Sequence, residues 1–312
     1  MGNQQTTIPT HLGIVEAAIH KGQPKEGVEK GPNAIREGGL NAFLSSMGKL
    51  TVKEYEKITQ TEARESERIL NCRNQKAFLK SSTELISAVE KSVAENDITL
   101  ILGGDHSLGY GSIRGHFNVF PNTFVVWVDA HSDINTPAVS TSGNIHGMPV
   151  SFLMKETSEK IPRSQGFETL SPCMNSKNLL YIALRDVDTP ELEYLKEFNI
   201  RYFTMADVKE IGIEKVMQLA IKAISEQPNC NIHLSFDIDA LDPKFANSTG
   251  TPVPGGLTLN EGKYICRSLA MTGLLKAVDL VEVNPALGSP EDSKTTVNSA
   301  VELLKSCINS NL

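Results

Sequence analysis

Phe124-Val125-Val126-Trp127-Val128-Asp129-Ala130-His131-Ser132-Asp133 decides how this chain folds. Its apolar half is short, unbroken and rich in β-branched and aromatic residues, the mark of a strand covered on both faces. In the polar half Asp129, His131 and Asp133 stand at every second position, so extended backbone turns all three side chains the same way. Two other apolar runs end alike: residues 98–102 lead into Gly103-Gly104-Asp105-His106, and residues 232–236 into Asp237-Ile238-Asp239. His106, Asp129, His131, Asp133, Asp237 and Asp239 are then six potential metal ligands at three strand ends, able to converge if those strands are sheet neighbours. Four carboxylates gathered without cations would repel one another and resist ionisation, so a pair of divalent ions is expected among them.

Further strands are expected at 179–184 and 277–281, with a weaker one at 12–15. Between the strands the period is helical. Leu85, Val89 and Val93 follow a capping pattern at Ser81 and Glu84, Thr258 and Glu261 repeat that pattern, and Thr189-Pro190 and the spacing of Val216, Ala220 and Ile224 mark further helices. Alternating strands and helices make an α/β protein with a mainly parallel sheet. The polar stretches 135–144 and 155–177 read as surface loops, and the first follows a ligand-rich strand end, where open α/β sheets bind their ligands. No repeat, low-complexity tract or Pro/Ser-rich linker divides the chain, so residues 1–312 are expected to form one domain.

With 312 residues, 40% of them hydrophobic, the chain can bury a large core. A formal net charge of -7 argues against a nucleic-acid or anionic-membrane partner and suits a small cationic substrate. The five cysteines are an odd number, widely spaced and without a C-x-x-C pair, as expected of free thiols in the cytoplasm. No stretch reaches the roughly 20 apolar residues of a membrane span, there is no signal-peptide core, and no Arg precedes Arg36. Met1-Gly2-Asn3-Gln4-Gln5-Thr6 fits the short N-myristoylation pattern, with a plain polar N-terminus as the alternative. A single acyl chain gives only reversible membrane contact.

Two other site readings fail on spacing. Gly109-x-Gly111 is followed by Arg114 where a dinucleotide fingerprint needs its third glycine. Asp129-x-His131-x-Asp133-x-Asn135 lacks the glycine and glutamate of a calcium loop. Two histidines among carboxylates fit a borderline ion, best manganese, with iron, cobalt or zinc as alternatives. His11, His20 and His116 read as surface residues, and His233 as a hydrogen-bonded sheet residue.

GGDHS at 103–107, DAHSDIN at 129–135 and SFDIDALDP at 235–243 resemble the three signatures of the ureohydrolases, the family of the arginases and agmatinases. The resemblance runs from about residue 13 to 304 and includes SGNIHG at 142–147, TGTPVPGG at 249–256 and EVNP at 282–285. The loop 135–146 is similar to that of the arginases, which hold the amino-acid end of their substrate there. The resemblance implies a three-layer α/β/α fold around a mainly parallel eight-stranded sheet. It also implies hydrolysis of L-arginine to L-ornithine and urea by a hydroxide bridging two Mn2+ ions in each subunit.

By the same resemblance His106, Asp129, Asp133 and Asp237 hold one ion, and Asp129, His131, Asp237 and Asp239 the other. Asp133 orients the hydroxide, Glu282 pairs with the guanidinium group with Thr251 holding Glu282, and His146 protonates the leaving amine. Asn135, Ser142 and Asn144 bind the α-carboxylate, and Asp188, assisted by Asp186, the α-amino group. Departures are Ser132 where arginases have Thr, Ala240 where they have Gly, and an altered stretch at 15–20. A homotrimer is implied, without the long tail some animal arginases use between subunits. The competing expectations are a ureohydrolase for agmatine or another guanidino compound, and a catalytically silent binding protein on the same scaffold.

Overall fold

The computed structural model describes residues 9–61, 64 and 68–309, so the myristoylation pattern at Met1 to Thr6 lies outside the described residues. Its strands are β1 (His11–Ala18), β2 (Thr51–Glu54), β3 (Ile58–Thr59), β4 (Ile98–Gly103), β5 (Thr123–Val128), β6 (Leu179–Leu184), β7 (Arg201–Thr204), β8 (Asn231–Asp237) and β9 (Leu275–Val281). The α-helices are α1 (Gly31–Ile35), α2 (Asn41–Ser46), α3 (Gln75–Glu95), α4 (Gly109–Val119), α5 (Pro149–Leu153), α6 (Thr189–Glu197), α7 (Met205–Ile211), α8 (Ile213–Ser225), α9 (Leu259–Ala270) and α10 (Pro290–Ile308).

All strand pairings are parallel, in the order β2-β1-β4-β9-β8-β5-β6-β7. The sheet has nine strands where eight were expected. The two-residue β3 pairs with Ala17 and Ala18 beyond the end of β2, so it extends the edge beside β1 and adds no new layer position. Successive residues alternate between two cores. Phe124, Val126 and Val128 face the cluster formed with Val216, Ile224, Leu269 and Leu304 of α8, α9 and α10. Val125 and Trp127 face the cluster containing Phe78, Ile113 and Phe117 of α3 and α4. That alternation is the three-layer architecture read from β5 alone.

The neighbours that matter are β4, β9, β8 and β5, the four central strands. β4 and β5 are consecutive among the strands of the chain yet separated by β9 and β8, so a crevice opens at the carboxyl ends between them. β5 adjoins β8 as the sequence requires, but β4 reaches the cluster across β9 and is not a direct neighbour of either.

Thr258 caps α9 with Glu261, as the pattern predicts. Ser81 caps nothing: α3 begins at Gln75, and the Ser81 hydroxyl donates to Ala77 O inside the helix. The N-cap of α6 is Asp188, one residue before Thr189. Residues 155–177 are more than a surface loop, because Ile161, Phe167, Leu170 and Met174 are buried in the α3 and α4 side core. No helix among the described residues is long and apolar enough to cross a membrane, and the five cysteines are free thiols.

Candidate metal centre and active site

Asp129 follows the last residue of β5, Asp237 is the last residue of β8, and Glu282 follows β9, so the ladder fixes each backbone. Gly104 carries the β4 end into the same crevice. A Cβ there would lie 1.7 Å from Ile19 O, so only glycine allows the backbone approach that brings His106 inward. His106 Nδ1 then stands 3.1 Å from Asp129 Oδ2, 3.2 Å from Asp133 Oδ2 and 3.1 Å from Asp237 Oδ2. His131 Nδ1 is 3.3 Å from both Asp129 Oδ1 and Asp239 Oδ2. Donor atoms of His106, Asp129 and Asp237 lie within 4.8 Å of one another, and so do those of Asp129, His131 and Asp239. Two overlapping groups that share Asp129 suit a pair of adjacent ions.

The electrostatics make the same point. Burial, then the charges of Asp239 and Asp129, holds the Asp237 carboxyl well above its ordinary range. Burial and Asp129 push Asp133 up to about 6. Burial alone would lower His106, but hydrogen bonds to Asp129, Asp133 and Asp237 raise it well above the usual imidazole value. Burial opposes ionisation of Asp129 too, and its hydrogen bonds to His106 and His131 outweigh that and pull it down. A carboxylate-rich hollow that must borrow imidazolium charge is one that divalent cations would neutralise. The donors are oxygen and imidazole nitrogen only, which fits a hard or borderline ion.

Above this floor Glu282 Oε1 accepts from His106 N–H at 3.0 Å and lies 3.1 Å from His146 Nδ1. Burial would lower His146, but pairing with Glu282, helped by Asp133, holds it up to about 9. Asp133 and Glu282 both adopt positive φ, 49° and 61°, which costs a non-glycine residue and concentrates where function fixes geometry. Asn135 Nδ2 donates to Asp188 Oδ2 at 3.2 Å, and Asp186 Oδ2, largely exposed, lies 3.7 Å from His131 Nε2. His131, Asp133, Asn135, Ser142, His146, Asp186, Asp188, Asp237 and Thr251 line one cavity of about 160 Å³. Asn144 lies just outside it, in a neighbouring cavity that Ser142 also lines. Thr251 departs from expectation: its hydroxyl donates to Asp239 Oδ2 at 2.9 Å, so it steadies Asp239 where Glu282 had been the expected partner.

Residues 10–309 match the arginase family. The chain belongs to that family. It is 46% identical to Arginase-1 of Homo sapiens over 297 residues, which covers 95% of this chain and 92% of that protein. The fold matches the solved native structure of the arginase of Bacillus caldovelox with a TM-score of 0.87 at 31% identity, covering 96% of this chain and 98% of that one. It also matches the arginase of Entamoeba histolytica solved with L-ornithine, with a TM-score of 0.84 at 31% identity over 96% and 98% of the two chains.

Several residues of this arginase-family site escaped the sequence reading. His106 Nε2 lies 2.9 Å from Ser235 Oγ, and Ser235 Oγ donates to Asp279 Oδ2 at 3.1 Å. Ser112 Oγ donates to the same oxygen at 2.7 Å, and His233 Nε2 is 3.0 Å from it. For Nδ1 of His106 to be a ligand it must keep its lone pair, so Nε2–H donates to Ser235 and the chain of bonds fixes that tautomer. His116 is not a surface residue: it is fully buried, with Nδ1 3.1 Å from His233 Nδ1. Trp127 donates to Asp129 Oδ2 at 3.0 Å and stacks on the His106 ring at 4.0 Å. Glu191, pushed up to about 7 by burial and Asp133, accepts from Ile134 N–H and Asp188 N–H. Arg185 spends its guanidinium on the carbonyls of Asp239, Leu241 and Val253, tying the β8 loop to the 251–256 loop. Ser235 and Asp279 did carry a signal, since a polar residue inside a continuous apolar strand needs a buried partner.

Proposed function

We propose that this protein is an arginase, a manganese-dependent hydrolase that converts L-arginine to L-ornithine and urea. The observation that carries the reading is the double convergence on Asp129, with His106 Nδ1 at 3.1 Å and His131 Nδ1 at 3.3 Å from its two oxygens. His106, Asp129, Asp133 and Asp237 would hold one Mn2+, and Asp129, His131, Asp237 and Asp239 the second. Bound there, the metal would supply Lewis-acid activation of water, a nucleophile for the guanidinium carbon near neutral pH.

The chain's own residues do the rest. Asp133 accepts a hydrogen bond from the nucleophile and orients it. Glu282, held by His106 N–H, offers its carboxylate to the guanidinium group and sets its carbon over the floor. His146, held protonated by Glu282, gives its proton to the departing amine, which leaves as the δ-amino group of ornithine. Asn135, Ser142 and Asn144 would take the α-carboxylate, Asp188 the α-amino group with Asp186 assisting, and Thr251 keeps Asp239 in line. Residues 1–312 act as one domain, in a homotrimer, in the cytoplasm. Five free thiols support a reducing compartment.

The deciding assay is urea release by the manganese-loaded protein, with L-arginine and agmatine compared. Arginine should be the preferred substrate, because agmatine lacks the carboxylate that Asn135, Ser142 and Asn144 would bind. Equal use of the two would make the protein a different ureohydrolase, and release from neither would leave a silent relative.

A further inference from the structure

The loop 135–144 has no regular secondary structure, and its shape is imposed from outside. Asn71 Nδ2 donates to both Pro137 O and Ser140 O at 2.8 Å. Arg68 Nη1 donates to Thr141 O at 3.3 Å and to Asn71 Oδ1 at 2.9 Å. Arg73 donates through Nε to Ser142 O at 3.1 Å and through its backbone N–H to Gly143 O at 2.9 Å. Five carbonyls of the loop are therefore taken by donors from residues 68–73.

The donor segment is itself strained. Ile69 and Cys72 exchange backbone hydrogen bonds of 2.9 and 2.8 Å around Leu70 and Asn71. The two central residues have φ of 51° and 62°, the left-handed pair that a type I′ turn requires. A leucine there is costly, and such strain persists only where the surroundings over-determine it. Cys72 supplies one anchor, buried with Sγ 3.7 Å from Met148 Sδ. The other is the loop itself. Gly143 has φ of 71°, and a Cβ on it would lie 2.6 Å from Asn71 O, so turn and loop are shaped to each other.

From this we infer that the turn at 69–72 is a clamp that sets recognition of the substrate carboxylate, with Asn71 as its principal positioning residue. The inference rests on the proposed role of Ser142 and Asn144. Asn71 reaches the substrate through them alone. Its two amide hydrogens set the curvature between Pro137 and Ser140, and Arg73 fixes the peptide of Ser142. Within the curve Ser140 Oγ accepts from Gly143 N–H at 3.0 Å, and Ser142 Oγ from Asn144 N–H at 3.2 Å. Loosening this curve moves the carboxylate ligands while leaving the metal floor, built on β5 and β8, as it was.

The test compares Asn71→Gly, which suits the left-handed backbone and removes the amide, with Asn71→Asp, which keeps the shape and loses the donors. Ser142→Ala is carried alongside, and bound manganese is measured on every preparation. For both Asn71 variants KM for L-arginine should rise, and L-ornithine binding by calorimetry should weaken in step, by about 10-fold or more, as expected for misplaced hydrogen bonds to a charged group. Their kcat and manganese content should stay close to those of the parent. The clamp is overturned if Ser142→Ala raises KM and the Asn71 variants do not, or if the Asn71 variants lose kcat and metal along with affinity. If Ser142→Ala changes neither KM nor ornithine binding, the carboxylate reading of the loop falls, and the clamp falls with it.

Discussion

The floor of the cleft and its rim are held by different means. On the floor, Asp237 sits on the last rung of β8, and Asp129 and Glu282 come one residue after the last rungs of β5 and β9, where the parallel ladder and two packed cores fix the backbone before any side chain is considered. On the rim, Asn135, Ser142 and Asn144 ride on a loop whose carbonyls are satisfied by a turn about 70 residues earlier in the chain. The floor follows from sheet geometry, and the rim from a few replaceable hydrogen bonds. Binding of the reacting group should therefore survive most changes at the rim, while discrimination among substrates should be easily altered there.

The largest effect expected on this contrast comes from the floor. His106→Ala removes the nitrogen that faces three carboxylates and should cost one ion and about 10³-fold in kcat, since metal charge stabilisation is worth several kcal/mol. Metal analysis of the purified variant checks it, and two tightly bound ions would contradict the ligand assignment. Next comes the rim. Asn135→Ala should raise KM for arginine by about 10–100-fold at nearly constant kcat, the signature of lost uniform binding through a hydrogen bond to a charged group. A matching fall in kcat would place Asn135 with the floor and blur the division.

The same division governs what could be read from the sequence. Asp129, His131 and Asp133 were legible because period-two spacing after an apolar run is local information. β2 and β7 were not: their residues are exposed or half-buried, so neither forms a continuous apolar run, and β3 has only two residues. His116 was misread because the partner that justifies its burial, His233, lies 117 positions away. Ser81 was misread because Asn74, at φ 53°, starts α3 earlier than the capping pattern suggests. The roles of the rim residues came from the family resemblance alone. Nothing in 135–144 announces that Asn71 and Arg73 shape it, because those contacts exist only after folding.

A smaller effect should come from beneath the floor. Ser235 connects His106 Nε2 to Asp279, so Ser235→Ala should weaken manganese binding by about 10-fold, at the lower end of what outer partners contribute. Calorimetric titration of the metal-depleted protein measures this directly. KM for arginine at saturating metal should stay put, because the rim does not touch this chain of bonds. An altered KM with unchanged metal affinity would mean that Ser235 acts on the substrate side.

The smallest effect separates strain from recognition within the rim clamp itself. Leu70 and Asn71 share one turn, yet only Asn71 donates to the loop from its side chain. Leu70→Gly relieves a left-handed leucine, worth about 1–2 kcal/mol. It also loses a half-buried apolar contact and adds unfolded-state freedom of about 0.5–1 kcal/mol. These terms oppose one another, so thermal stability should move by no more than about 2–4 °C. KM for arginine should be unchanged, because the backbone path that aims the Asn71 amide is one glycine adopts readily. A raised KM in Leu70→Gly would mean that the strain itself, more than the amide it directs, holds the loop in register. The clamp would then be a property of the whole turn.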